Sequence, residues 1–177
     1  MVLRPRVRKL VLTTHVSVSV GWIGAVVAYL TLGLAAVTSD STPTIRAAWI
    51  GMEITGWYAI VPLAVASMLT GLVMALGTRW GLFRHYWVLI SFVLTVLSVV
   101  VLVLHMPDVS SLAATAQTLE GEALAALGGD LAHPGMGLIV LIAIQVLNVY
   151  KPPGLTRYGR RKRQQQSATS SEDLSPR

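Results

Sequence analysis

One uncharged stretch, Tyr86–Met106, limits what this chain can fold into more than any other feature. Between the histidines at its two ends, His85 and His105, the most polar side chains are three hydroxyls: Ser91, Thr95 and Ser98. Twenty helical steps separate the two histidines, a rise of roughly 30 Å, which matches the hydrocarbon core of a bilayer. The stretch therefore predicts a transmembrane helix with a histidine at each rim. Within one chain, these two histidines are too far apart to share a metal ion.

Three further apolar blocks extend this prediction to the whole chain. Hydrophobic residues make up 54% of the sequence and charged residues 12%, whereas soluble domains carry about 25% charged residues. The predicted fold class is all-α: a four-helix transmembrane bundle with a short outer interfacial helix before the fourth span. The expected organisation is a basic leader at 1–9, spans at about 10–37, 52–76, 86–106 and 134–150, and a basic, disordered cytoplasmic tail at 151–177.

The charges indicate how the chain sits in its membrane. Apart from the terminal Arg177, twelve of the 14 lysines and arginines fall before the first block, between the second and third, or after the fourth, and only Arg46 does not. Six of the eight acids lie at the other connections. Basic flanks mark the cytoplasmic face, so both termini are predicted to be cytoplasmic in a multi-pass protein of the inner (plasma) membrane. The partner implied is a lipid bilayer and not nucleic acid, and a protein partner or homo-oligomer remains open.

Three local expectations concern the second and third helices and the stretch that follows them. Pro107 is expected to end the third span, because proline lacks the donor that a continuing helix needs. The stretch after it is expected to form the short surface helix, because apolar residues recur there at helical spacing: Leu112, Ala116, Leu119, Ala123 and Leu127. Glu53 lies seven positions after Arg46 on the same face of the second helix, and it is expected to form an ion pair with Arg46 or with a protonated histidine.

The candidate ligands are few, because the chain has no cysteine. This excludes thiolate metal sites, iron–sulfur clusters and thioether-attached haem. His105 and His133 lie at the predicted outer rim, with Met136 one turn beyond His133 and Glu53 at the outer end of the second helix. Imidazole suits copper, zinc and iron, thioether favours Cu(I), and two imidazoles also clamp haem iron. The alternative is that these are ordinary interfacial histidines.

His15 lies well inside a predicted span, whereas the other three histidines lie at or beyond the ends of the spans. It shares a helix face with Ser19 and Trp22, so this face is expected to point into the bundle. An ionisable side chain within a span is a functional candidate, here a cofactor ligand. The alternative is a neutral histidine that is hydrogen-bonded to a hydroxyl of another helix.

Several stretches resemble known membrane families. HVSVSVGWIG (15–24) resembles the first helix of the copper-resistance-D-like group, which includes the membrane protoporphyrinogen oxidases that bind haem b. WYAIVPLAVASMLTGL, GTRWGLFRHYWVL and VLNVYKPPGLTRYGRR resemble an uncharacterised four-helix bacterial membrane family, common in actinobacteria, that is known only as a domain of unknown function. The latter resemblance covers about residues 10–163.

The resemblance implies a limited set of roles. His15 matches the histidine that ligates haem in the oxidases, but those enzymes also use a lysine in a later helix. This chain has no lysine between Lys9 and Lys151, so their activity is not carried over. The sequence leaves enzymatic activity undecided. It favours a small membrane protein that binds haem b or copper, through His15, His105 and His133, for electron transfer or metal handling. The alternative is a membrane component that binds a protein partner or lipid and holds no cofactor.

Overall fold

The structure, a computed structural model, describes the backbone of residues 3–78 and 81–172 and the side chains of 3–78 and 81–165. Arg79 and Trp80 of the predicted cytoplasmic connection, and the last five residues of the predicted disordered tail, lie outside these residues. The helices are α1 (Pro5–Thr38), α2 (Thr42–Thr55), α3 (Val61–Gly77), α4 (Tyr86–Thr118), α5 (Gly121–Ala125), α6 (Ala132–Tyr150) and α7 (Arg157–Glu172), with a π-helical turn at Gly56–Ile60 joining α2 to α3.

Four helical segments among the described residues are long and apolar enough to cross a membrane: α1, the continuous α2–π–α3 unit, α4 and α6. The prediction of an all-α four-helix transmembrane bundle is confirmed, and the chain is a multi-pass membrane protein. α1 and α4 both pack against α2 and α3, and α6 packs on α1 and α4. We call the end with Arg8, Lys9 and Lys151 the basic end, and the end with His105 and His133 the histidine end.

The π-helical turn accommodates Pro62 within the second spanning segment. A proline in a helix has no amide hydrogen and its ring crowds the carbonyl four residues earlier. The turn places the extra residue directly before α3, in which Pro62 occupies the first turn. On the other side, Gly56 leaves room for the buried side chain of Met106, which a Cβ at this position would strike. The second span therefore stays continuous across Pro62.

Contrary to expectation, Pro107 does not end α4. The helix continues for eleven residues to Thr118. The continuation buries Val109, Ala113 and Ala116 completely against the core, and this packing offsets the hydrogen bond that the proline removes. Of the stripe expected to form a separate surface helix, Leu112 and Ala116 thus belong to α4. The short helix before the fourth span is α5, held to the core by Leu124.

The expected pair between Arg46 and Glu53 is also wrong, for a related reason. The extended α4 brings its last carbonyls beside α2, and Arg46 donates to the carbonyl oxygens of Ala116 (3.2 Å) and Leu119 (2.7 Å). Its ion pair is with Glu120, at 3.5 Å. Arg46 therefore satisfies acceptors that every helix leaves open at its carboxyl end.

The tail differs from the expected disorder, since α7 is helical from Arg157 to Glu172. The hydroxyl of Thr156 accepts a hydrogen bond from the amide of Gly159 at 3.0 Å, which caps the start of the helix. The same residue ties α7 to the connection before α4, because its amide donates to the carbonyl of Arg84 at 3.0 Å. Arginine, lysine and glutamine are good helix formers, so a cap suffices to start the helix. At the other end of the chain, α1 begins at Pro5, inside the predicted leader.

Candidate metal centre

Three side chains that could hold a metal ion meet at the histidine end. His105 lies on α4, Asp130 lies in the connection between α5 and α6, and His133 is the second residue of α6. One possible ligand atom from each lies within 4.8 Å of the other two. Because Asp130 and His133 are three residues apart around the start of a helix, they present their side chains on the same side.

Asp130 is the centre of this cluster. Its Oδ2 lies 2.7 Å from Nε2 of His105, and its Oδ1 lies 3.8 Å from Nδ1 of His133. The two imidazole rings stack on each other, with ring centroids 4.1 Å apart and planes inclined by 23°. One carboxylate therefore faces both imidazoles, each through a different oxygen.

Tyr29 of α1 adds a fourth group. Its hydroxyl donates to Oδ2 of Asp130 at 2.8 Å, so this oxygen receives hydrogen bonds from two different helices. The tyrosine side chain is buried in the main core. A fixed donor of this kind holds a carboxylate in one orientation, as the outer partners of metal ligands do.

Two glycines allow the connection to approach α1 closely enough for this contact. A Cβ at Gly33 would lie 2.9 Å from the side chain of Leu131 and 3.1 Å from the carbonyl oxygen of Asp130. A Cβ at Gly129 would collide with the backbone carbonyl of Gly33. The backbones of the connection and of α1 thus touch where neither residue has a side chain, and Asp130 is brought next to Tyr29.

Burial is graded across the cluster. The side chains of Asp130 and His105 are 9% and 18% exposed, whereas that of His133 is 61% exposed. The carboxylate is thus shielded, and the cluster is reached from the His133 side. An exposed imidazole can also shift by the small amount needed to close the ligand set, since donors around a first-row ion lie ~2.0–2.2 Å from it.

The other predicted outer ligands are placed differently. Glu53 does not lie in the group formed by His105, Asp130 and His133. Met136 is 63% exposed and lies one helical turn beyond His133, which is 61% exposed. Met52 and Met106 are fully buried in the core. The donors that the structure brings together are thus two imidazoles and a carboxylate.

His15 lies in the other half of the bundle, near the basic end. Its Nδ1 is 3.0 Å from the hydroxyl oxygen of Thr70, and its ring packs on Gly71. The single hydroxyl hydrogen of Thr70 is donated to the carbonyl of Ala66 at 2.7 Å, so Thr70 accepts and His15 Nδ1 donates. Nδ1 therefore carries a hydrogen, and the expected bond between His15 and a hydroxyl of another helix is present.

A haem clamped by His105 and His133 does not fit this geometry. Axial ligands must stand on opposite faces of the macrocycle, whereas these rings stack directly on each other and share one carboxylate. His15 is too distant to replace either. Tyr29, which contacts Asp130 of the cluster, lies fourteen residues, roughly 21 Å, further along α1 than His15.

The sequence pointed to His105 and His133 but missed Asp130 and Tyr29. A signal for Asp130 was present, since it stands three residues before His133 at the start of a span. Tyr29 gave none, because nothing in the sequence relates it to a residue 101 positions away.

Together these features define a four-helix membrane protein with a histidine–carboxylate cluster at one end of its bundle. No protein-family model, no curated protein sequence and no solved structure matches the chain.

Proposed function

We propose that this chain is a membrane protein that binds a divalent transition-metal ion through His105, Asp130 and His133. The observation that carries the proposal is the shielded carboxylate of Asp130, which faces an imidazole with each of its oxygens. A carboxylate that is shielded from solvent is costly unless it is paired, and metal ligation is one of the arrangements that offset this cost.

The donor set selects the class of ion. Two imidazoles and one carboxylate suit borderline ions such as Cu²⁺ and Zn²⁺, and among first-row divalent ions Cu²⁺ binds such sites most tightly. Because the three grouped donors are nitrogen and oxygen atoms, they favour a site that holds or passes on Cu²⁺ or Zn²⁺ over one that cycles between Cu(I) and Cu(II). We therefore propose metal handling rather than electron transfer.

Three ligands leave coordination positions open. In zinc proteins, closed structural sites have four protein ligands, whereas sites with three protein ligands also hold water or a substrate. The open side here is that of His133, the most exposed of the three ligands. By the distribution of basic residues this end faces away from the cytoplasm, so an ion would enter from the outside.

The alternative is that the cluster is structural. A protonated His105 next to Asp130 forms a short ion pair that joins α4 to the connection before α6, and Tyr29 joins the same carboxylate to α1. In that case the group stabilises the bundle and binds no metal, as expected for a protein that serves as a lipid- or partner-binding component.

Metal analysis of the purified protein decides between these functions. We would express the chain, reconstitute it in lipid nanodiscs, strip it with chelator and titrate it with Cu²⁺ or Zn²⁺. The expected result is one ion per chain, with affinity at least tenfold lower in Asp130→Asn and in His133→Ala. Stoichiometric binding that is unaffected by both substitutions, or no binding at all, would overturn the proposal.

Two matched variants control for loss of charge or imidazole. Asp108→Asn removes an exposed acid near the same end, and His85→Gln removes an imidazole from the basic end. Both are expected to bind the ion as the unmodified chain does. An oxidised and dithionite-reduced absorption spectrum of the same sample tests for haem. A Soret band that disappears in His15→Ala would place a haem at the basic end instead.

The family relationships are part of this proposal. Kinship with the copper-resistance-D-like group would agree with a metal-handling role, and kinship with the uncharacterised actinobacterial family would extend the role to its members. A search for the combination of Tyr29, His105, Asp130 and His133 among sequences carrying the GTRWGLFRHYWVL stretch tests this. Relatives that lack Asp130 as a rule would contradict it.

A further inference from the structure

A second site lies at the basic end, independent of the proposed metal centre. A cavity of ≈ 750 Å³ is lined by α1, α3, α4 and α6 and begins at the level of Arg8, Lys9 and Lys151. It extends along α1 as far as Ser19, eleven residues beyond Arg8 and therefore roughly 16 Å deeper. This volume is in the range of cavities that hold small molecules.

The cavity contains polar groups that the protein itself does not satisfy. The hydroxyl oxygen of Ser91 is buried and has no hydrogen-bond partner among the described residues. Gln145 and Asn148 of α6 also line the cavity, and no side-chain hydrogen bond joins either to another described residue. Polar groups cut off from both water and partners are costly inside a membrane. Water or a polar group of a ligand must therefore reach them.

The charges around the cavity have one sign. Its described lining includes Arg8, Lys9 and Lys151 but no aspartate or glutamate. A low-dielectric cavity lined by charges of one sign concentrates counter-ions of the other, here anions. Lys151 also lines the neighbouring surface pocket, to which Arg84, Arg160 and Arg163 contribute. The entrance therefore attracts anions and repels cations.

The remaining wall is apolar and suits a carbon skeleton. Met68 and Met74 of α3 and Phe92 of α4 face the cavity between the polar groups. Methionine adapts its shape to different partners, so this wall can accommodate a flexible chain. A ligand that matches the whole cavity has an acidic head, at least one further group that hydrogen-bonds to hydroxyl or carboxamide, and an apolar body.

We propose that this cavity binds an anionic amphiphile, a molecule with a carboxylate or phosphate head and an apolar chain. The head lies near Arg8, Lys9 and Lys151 and accepts hydrogen bonds from the carboxamide groups of Asn148 and Gln145. The chain lies against Met68, Met74 and Phe92. The site and the metal centre are at opposite ends of the bundle, so either can exist without the other.

Three probes with the same ten-carbon chain test the proposal. The purified chain in nanodiscs of zwitterionic lipid is titrated by calorimetry with decanoate, decanol and decyltrimethylammonium, and with butyrate as a short-chain comparison. Empty nanodiscs give the background. Decanoate is expected to saturate one site per chain, with the other two binding at least tenfold more weakly. Equal binding of decanol and decanoate would overturn the role of charge. Butyrate binding as tightly as decanoate would show a site for free anions and overturn the amphiphile.

Substitutions locate the binding in the cavity. Lys151→Asn removes one entrance charge and keeps a residue that tolerates the left-handed backbone found there (φ 46°). Asn148→Leu removes a hydrogen-bonding group without touching any charge. Each is expected to weaken decanoate binding several-fold, whereas Lys162→Gln on α7, away from the cavity, leaves it unchanged. Unaltered binding in both cavity variants would refute the assignment, and circular dichroism verifies that they fold.

Discussion

His105 and Asp130 are joined through Nε2 and Oδ2 at 2.7 Å, although one belongs to a transmembrane helix and the other to a connection 25 residues later. The contact links α4 to the segment that leads into α6, and Tyr29 links the same carboxylate to α1. Three of the four spanning segments are thus connected through one buried acid. Changes at this acid are expected to affect both the ligand set and the packing of the bundle.

Replacing Tyr29 with phenylalanine tests whether the tyrosine orients the carboxylate. The substitution keeps the ring in the core and removes only the hydroxyl that donates to Asp130. We expect Cu²⁺ or Zn²⁺ affinity to fall ~10-fold or more, as for outer partners of metal ligands, with ~1–3 kcal/mol lost in unfolding stability. Calorimetric titration and denaturant unfolding measure the two effects. Tyr58→Phe, at a residue 82% exposed, is the matched control. Unchanged affinity would limit Tyr29 to a structural role.

Replacing Gly129 with alanine tests the close approach of the connection to α1. The added Cβ would strike the carbonyl of Gly33, and backbone cannot rotate away as a flexible side chain can. We expect a loss of ~1–3 kcal/mol in stability together with weaker metal binding, because Asp130 moves with its neighbour. Gly137→Ala on α6 is the control, since nothing lies within 4 Å of its Cβ position. A variant as stable and as tight-binding as the unmodified chain would contradict this packing.

The orientation in the membrane can be tested without background, because the chain has no cysteine. Single cysteines at Ser39 and at the exposed Glu122 are expected to react with a membrane-impermeant maleimide in intact cells. A cysteine at Arg163 is expected to react only after lysis, since basic flanks stay in the cytoplasm. Gel shifts of the labelled protein report the result. The reverse pattern would place the histidine cluster on the cytoplasmic side.

The helices show which features of this fold could be predicted from local sequence. Uncharged stretches of about twenty residues allow few alternatives, so four spans could be predicted and are found. Local reasoning failed at Pro107 and in the tail. Proline lowers helix stability by a few kcal/mol, and the burial of Val109 and Ala113 overcomes that cost. The tail helix depends on Thr156, whose contacts with the connection before α4 lie more than 70 residues away in sequence.

By itself, the sequence determined that this chain has four segments long and apolar enough to cross a membrane, and where its basic residues gather. These properties depend on hydropathy and charge, which are local and additive along a chain. Only the tertiary structure decided that Asp130 joins His105 and His133, that Tyr29 holds it, and that His15 bonds to Thr70. Such contacts depend on how helices distant in sequence pack, and here on two glycines whose missing side chains allow a loop to reach α1.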